Sequence, residues 1–179
     1  MIRRVLLSFL LLSTLLNAKQ YDSNIIAIEA KLFPKIALLE QNIKQNPSTK
    51  LNIIILAKEI DFDIAEDFKT KIESSYPSMI GGKKVVVNIL EFNDSDTNHS
   101  DAVIVLSHGN KELQKIALWA NKNKIVSFAY DPSYLDYNLL ASIYIGKSTK
   151  PYLNRKIIKE YNFIFDSYLL QLSKFKNED

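Results

Sequence analysis

The stretch LNIIILA at residues 51–57 is apolar at six of its seven positions, with Asn52 as the exception. Seven residues are too few for a typical helix, and an apolar run of this length is typical of a strand that is buried on both faces. Such strands occur in parallel sheets that carry helices on both sides. This stretch therefore predicts an α/β fold.

The segments that follow continue the alternation of strands and helices. Three more apolar runs predict strands at 85–92, 102–106 and 125–129. Between them, helical spacing is shown by two groups of apolar residues, namely Ile60, Ile64, Phe68 and Ile72, and then Leu113, Ile116, Ala117 and Ala120. We therefore expect one three-layer domain with a mainly parallel sheet.

The segment before the first strand has the pattern of an amphipathic helix. Its apolar residues recur three or four apart, at Ile25, Ile28, Leu32, Ile36, Leu39 and Ile43. Asp22 or Ser23 can cap its start, and Pro34 should kink it.

The connection between the second and third strands is short, with only nine residues between Phe92 and Ala102. A parallel crossover ordinarily contains a helix. In the flavodoxin-like order 2-1-3-4 the segment must pass over the first strand, about 10 Å, and nine extended residues reach roughly 30 Å. This order is therefore our prediction.

The C-terminal part has a different pattern. Residues 139–145 and 150–153 flank Gly146 and predict an antiparallel hairpin, with Pro151 indicating an edge strand. Asn154 can cap a short helix at 155–161, and the spacing of Phe165, Leu169 and Leu172 predicts a last helix.

The N-terminus has the pattern of a secretory signal peptide. Two cations in residues 1–4 precede a largely apolar stretch at 5–16, and Ala18 is a small residue at the expected cleavage site. The stretch is shorter than the about 20 residues that a membrane-spanning helix needs. We expect a signal peptide at 1–18, a single domain at 19–179 and a periplasmic location. Leu16 is atypical near a cleavage site, so cleavage is left open.

Composition narrows the classes of function. The net charge of +3 falls to +1 without Arg3 and Arg4, and a nearly neutral chain argues against nucleic-acid binding. The absence of cysteine excludes disulfides and thiolate chemistry. The four glycines match neither a dinucleotide fingerprint nor a P-loop, so we predict no cofactor.

Ligands of open α/β sheets bind at the carboxyl ends of the strands, near the point where strand order reverses. The candidate crevice there is formed by Lys58, Ser107, His108, Asn110, Tyr130 and Asp131. A catalytic alternative would use Ser107 as nucleophile and His108 as base, oriented by Asp131. Neighbouring side chains of a strand point to opposite faces, and Asn110 is equally suited to a helix cap. We therefore predict no catalytic residue and no enzyme.

The loop after the second strand has two further features. His99 lies near Asp94 and Asp96, but the spacing does not match a calcium loop, so no metal site is predicted. Asn93 and Asn98 each begin an Asn-x-Ser sequence that has an acidic residue two positions earlier, which is the extended acceptor pattern of some bacterial N-glycosylation systems.

Several segments resemble a known family in sequence and order. They are EAKLFPKI at 29–36, IVSF at 125–128, the turn at Asp131, IYI at 143–145, PYLN at 151–154, IIK at 157–159 and DSYLLQL at 166–172. They resemble the YfiR/HmsC-like family of small periplasmic regulators.

This resemblance implies a non-catalytic regulator that restrains a membrane-bound diguanylate cyclase. The partner would be the periplasmic part of that inner-membrane protein, and a homodimer is left open. Characterised relatives use cysteines, which this chain lacks, so disulfide-dependent dimerisation is not carried over. The alternative from the residues alone is a periplasmic solute-binding protein or half-domain that uses the crevice.

Overall fold

The computed structural model describes residues 21–92 and 100–176. Within them one seven-stranded sheet has the order β2-β1-β3-β4-β5-β6-β7. The strands are β1 Lys50–Leu56, β2 Lys84–Leu90, β3 Ala102–Val105, β4 Val126–Ala129, β5 Ala141–Ile145, β6 Thr149–Asn154 and β7 Lys174–Lys176. Only the β5 and β6 pair is antiparallel. The predicted α/β class, the order 2-1-3-4 and the C-terminal hairpin are confirmed.

Helices cover both faces of this sheet. The α-helices are α1 Ser23–Ala37, α2 Gln41–Gln45, α3 Phe62–Ser75, α4 Asn110–Lys122, α5 Arg155–Glu160 and α6 Ser167–Leu172. Two 3-10 helices, Glu59–Asp61 and Pro132–Tyr137, follow β1 and β4. In the described part of the chain, no helix is long and apolar enough to cross a membrane.

Two apolar cores lie on opposite faces of the sheet. Ile53 and Ile55 of β1 belong to the larger core, while Ile54 and Leu56 belong to the smaller one, as the alternation of side chains along a strand requires. In the larger core, the ring of Phe33 on α1 stacks on those of Phe128 and Phe68, with centroids 4.4 and 6.1 Å apart. The smaller core is covered by α4, through Leu113, Ile116, Ala117 and Ala120. The sheet and the helices packed on its two faces therefore form the predicted three-layer arrangement.

The first predicted helix is corrected in two respects. It ends at Ala37 and is followed by the separate α2, because the backbone of Leu39 and Gln41 bonds to Asp166 and Ile164 instead of continuing the helix. Its fully buried positions are Ile26, Glu29, Ala30, Phe33, Pro34, Ile36 and Ala37, whereas Ile25, Ile28 and Leu32 are only partly buried. The cap at Asp22 is confirmed, since its carboxylate accepts hydrogen bonds from the backbone N–H groups of Asn24 and Ile25.

Three smaller predictions also change. Ile60 is 88% exposed because the helix after β1 begins only at Phe62. The hairpin is not at the sheet edge, since β7 pairs with β6 from Tyr152 onward, one residue beyond Pro151. The last predicted helix ends at Leu172, and the chain then forms β7.

The helix cap at Asn154 is confirmed by a hydrogen bond that its side chain accepts from the backbone N–H of Ile157. The predicted signal peptide at 1–18 and the glycosylation candidates Asn93 and Asn98 lie outside the described residues, as does His99.

Candidate functional site

The strand order reverses between β1 and β3, because β1 pairs with β2 on one side and with β3 on the other. Lys58 follows the carboxyl end of β1, and Ser107 and His108 follow that of β3. The structure therefore places Lys58 and His108 at the predicted switch point, together with Tyr21, Asp61 and Glu112. We call these five residues, Tyr21, Lys58, Asp61, His108 and Glu112, the switch-point cluster.

An ion pair forms the exposed rim of this cluster. The ammonium of Lys58 lies 2.9 Å from a carboxylate oxygen of Glu112, and the same oxygen accepts a hydrogen bond from the backbone N–H of Gly109 at 3.1 Å. The hydrogen bond from Lys58 lowers the pKa of Glu112. Because both side chains are well exposed, the pair contributes at most about 1 kcal/mol to stability.

Three polar groups inside the cluster are buried, namely the imidazole of His108, an oxygen of Asp61 and the hydroxyl of Tyr21. The Tyr21 hydroxyl lies near the carboxylate of Asp61 and the backbone of Ser107, and the His108 ring lies near the backbone of Leu106. Burial lowers the pKa of His108, so its imidazole is neutral at pH 7. Burial, and then the negative charge of Asp61, raises the pKa of Tyr21.

Among the described residues no hydrogen bond joins the ring of His108 to Ser107 or to Asp131. The absence of catalytic residues stays a prediction. Gly109 is the N-cap of α4 and Asn110 its exposed first residue, so the predicted capping position shifts by one. Tyr130 and Asp131 line a separate cavity, and a binding role for the six predicted crevice residues stays a prediction.

The second site is a cavity of about 580 Å³ beside the carboxyl end of β4. Its walls come from the first turns of α1, the residues after β4, and β5, β6 and β7. It is lined by Ile25, Glu29, Tyr130, Asp131, Pro132, Ile143, Tyr144, Ile145, Tyr152 and Lys174, and we call it the tyrosine cavity. Its volume lies within the range of about 300–1,000 Å³ that small-molecule sites occupy.

Glu29 is the most unusual residue of the tyrosine cavity. It is 1% exposed, and neither carboxyl oxygen has a hydrogen-bond partner among the described residues. Burial, with a smaller effect from the charge of Asp131, raises the pKa of Glu29 to about 9. The carboxyl group is therefore protonated and neutral at pH 7. A strongly shifted titratable group in a cavity is a feature of functional sites.

A cation already lies against the aromatic wall of the cavity. The ammonium of Lys174 is 3.7 Å from the ring centre of Tyr144 and 5.5 Å from that of Tyr152. The two rings meet edge to face, and β7 aligns Lys174 with Tyr152 on β6. Gly146 leaves room for the Tyr144 ring, since a Cβ atom there would lie 2.8 Å from it.

Tyr130 connects the two sites. Its hydroxyl accepts a hydrogen bond from the backbone N–H of Asp22, and its ring centre lies 4.9 Å from that of Tyr21. Asp131 accepts a hydrogen bond from the backbone N–H of Ser133 and caps the following 3-10 helix. Both predicted residues thus lie at the end of β4, as expected.

Sequence reasoning missed Tyr21, Glu29, Asp61, Glu112 and Lys174. Glu29 could have been found, because it lies three residues after Ile26 and four before Phe33, on a helical face that is also apolar. Lys174 could not have been found, because β7 was not predicted. Within the described ranges, no group of three or more acidic or histidine side chains could hold a metal ion.

No family model matches this chain, and no curated protein matches it significantly. Solved structures do share its fold. A conserved domain protein from Vibrio cholerae has a TM-score of 0.57 and 13% sequence identity, over 84% of this chain and 60% of that one. None of these comparisons names the YfiR/HmsC-like family, so that resemblance stays a prediction.

Two further structures share the fold. An ABC domain from Streptococcus pneumoniae in complex with L-Trp has a TM-score of 0.54 and 12% identity, over 82% of this chain and 61% of that one. An open, ligand-free substrate-binding protein with adhesive properties from Clostridium difficile has a TM-score of 0.53 and 14% identity, over 83% and 58%. The chain spans about 60% of the length of these structures. At 12–14% sequence identity, this likeness shows a shared α/β fold.

Proposed function

We propose that this chain is a non-catalytic domain that binds a small molecule in the tyrosine cavity. The observation that carries the proposal is that Glu29 lines a cavity of ligand size, while its buried carboxyl group has no hydrogen-bond partner in the described part of the chain. Binding sites are typically concave and largely apolar, with a few polar groups that fix the ligand's orientation. The tyrosine cavity has this composition.

The fold supports a solute-binding role over the regulatory role that the sequence resemblance implies. Two of the structural neighbours are described as a complex with L-Trp and as a substrate-binding protein. The tyrosine cavity also lies beside the carboxyl end of β4, at the same edge of the sheet as the switch point between β1 and β3 where open α/β sheets bind their ligands. The predicted export signal is consistent with a periplasmic binding domain.

Restraint of a membrane-bound diguanylate cyclase stays a prediction, and it is compatible with ligand binding. Such a regulator would need a partner in the inner membrane. Affinity purification of the tagged protein from its own membranes tests this, and repeated recovery without any membrane partner would contradict it.

A thermal-shift screen of the purified protein against periplasmic metabolites tests the proposed binding. A ligand at one hundred times its dissociation constant stabilises the folded state by about 2.7 kcal/mol. Ile145→Trp should abolish the shift, because Ile145 lines the cavity and is 43% exposed, so a larger ring can project into the cavity.

The matched control is Ile60→Trp, since Ile60 is 88% exposed and is not among the residues lining the cavity. It should retain the ligand-induced shift. A shift that survives Ile145→Trp, or the absence of any shift across the screen, would contradict binding in the tyrosine cavity.

A further inference from the structure

We infer that the tyrosine cavity selects an organic cation, an amine with an apolar body, which displaces the ammonium of Lys174 from the ring of Tyr144. This inference rests on the proposed function, because it takes the cavity to be the ligand site. It adds the charge of the ligand and identifies a residue of the chain as its competitor.

The first argument is the seat that a cation already occupies. The Lys174 ammonium lies over Tyr144 at 3.7 Å and near Tyr152 at 5.5 Å, well within the roughly 6 Å over which a cation is attracted to an aromatic face. Among the described residues it forms no ion pair. An aromatic wall that holds the chain's own ammonium has the chemistry to hold a ligand's.

The second argument is that two carboxyl groups line the same cavity, of which only Asp131 is charged at pH 7 before a ligand binds. Glu29 and Asp131 both line the cavity, and the charge of Asp131 acts on Glu29 strongly enough to help keep its carboxyl group protonated. An anionic ligand would be repelled by Asp131. A cationic ligand would instead favour the ionised form of Glu29, because an opposite charge nearby stabilises a carboxylate.

Proton release is therefore expected when a cation binds. Before binding, the Glu29 carboxyl group holds a proton at pH 7, since its pKa is about 9. The Lys174 ammonium does not contribute to the pKa of Glu29, so the proton leaves to the buffer only when the ligand's ammonium binds closer to Glu29 than the Lys174 ammonium does. No bond other than O–H is broken, and the net charge of ligand, Glu29 and proton is conserved.

The third argument is that Lys174 can leave. It lies on β7, which has three residues, and its side chain is exposed. A lysine side chain is long and has many rotamers, so the ammonium can move into water while the strand keeps its pairing with β6. The apolar residues Ile25, Ile143 and Ile145 remain to contact the body of the ligand.

Isothermal titration calorimetry with three probes that share one apolar body tests the charge. Phenethylamine is the cation, 2-phenylethanol the neutral analogue and 3-phenylpropionate the anion. We expect phenethylamine to bind at least about tenfold more tightly than either analogue, which corresponds to one strong charge-dependent contact. Equal or tighter binding of the neutral or anionic probe would overturn the inference.

Titrations in phosphate and in MOPS at pH 7 measure protons released, because the two buffers differ in ionisation enthalpy and neither carries a net positive charge. We expect release of a large fraction of one proton per phenethylamine bound, and no release for Glu29→Gln. We expect Lys174→Gln to bind phenethylamine about fivefold more tightly, since it removes the competing cation. Lys156→Gln, an exposed lysine on α5 that does not line the cavity, should bind as the unmodified protein does.

Three outcomes separate failure of this inference from failure of the proposed function. If Ile145→Trp abolishes binding of a ligand that is neutral or anionic, the cavity is the ligand site and only the cationic selectivity is wrong. If Lys174→Gln weakens phenethylamine binding, the lysine contacts the ligand directly and the displacement is wrong. If no ligand at all binds in the cavity, the proposed function itself fails.

Discussion

The hydroxyl of Tyr130, at the end of β4, accepts a 2.9 Å hydrogen bond from the backbone N–H of Asp22, 108 residues earlier in the chain. Asp22 is the N-cap of α1, so this bond ties the start of the first helix to the centre of the sheet edge. Tyr130 also packs on Tyr21 of the switch-point cluster and lines the tyrosine cavity. Tyr130 therefore contacts both the switch-point cluster and the tyrosine cavity.

Tyr130→Phe should cost about 1 kcal/mol of the free energy of unfolding, because it removes the hydroxyl but keeps the ring. The freed N–H of Asp22 should exchange faster, as should the first turn of α1. Hydrogen exchange followed by mass spectrometry measures both. Tyr168→Phe, at a 65% exposed tyrosine, is the control and should change neither; unchanged exchange at Asp22 in Tyr130→Phe would contradict the role of the bond.

The order of the parallel strands could be predicted from the sequence because each buried strand is a short apolar run, and because nine residues are long enough to cross one strand. The end of the first helix could not, since it depends on bonds from Leu39 and Gln41 to residues 164–166. Such long-range pairing leaves no local signal in the sequence.

The candidate site could likewise be predicted only in part from the sequence. Lys58, His108, Tyr130 and Asp131 follow directly from the strand ends. Glu29 could have been included, because its spacing from Ile26 and Phe33 places it on the buried face of α1. Lys174 could not, because the pairing of the three-residue strand β7 has no local signal in the sequence.

Phe33→Ala tests which face of α1 is buried. Phe33 is fully buried between Phe68 and Phe128, so removing its ring should cost about 3–5 kcal/mol. Leu32, which the sequence pattern placed on the buried stripe, is only partly buried, and Leu32→Ala should cost clearly less. Urea denaturation of both variants measures the difference. An equal loss of stability in the two variants would support the orientation of α1 that the sequence pattern predicted.

His108 should make stability fall under mildly acidic conditions. Burial lowers its pKa in the folded state, so below the ordinary value of 6.5 the unfolded chain binds a proton that the folded chain does not. The free energy of unfolding then decreases as pH falls from 7 toward the lowered pKa, and no further below it.

His108→Gln should remove this part of the acid sensitivity, as measured by thermal unfolding from pH 7.5 to 5. His99→Gln is the matched control, because it removes the only other histidine and should leave the contribution of His108 in place. The same pH profile in His108→Gln as in the unmodified protein would show that the imidazole is not held neutral.

Glu29 should have the opposite effect at higher pH. Its pKa is about 9 in the folded state against an ordinary 4.5, so between these values the unfolded chain has released a proton that the folded chain retains. The free energy of unfolding should fall as pH rises, by up to about 1.4 kcal/mol per pH unit, and level off above pH 9.

Glu29→Gln cannot ionise, so its profile should be flatter and its stability relative to the unmodified protein should increase from pH 5 to 8. Glu73→Gln, at an exposed position on α3, should follow the unmodified profile. A Glu29→Gln profile parallel to the unmodified one would mean that the carboxyl group is ionised in the folded protein, and the proton release expected on amine binding would then be absent as well.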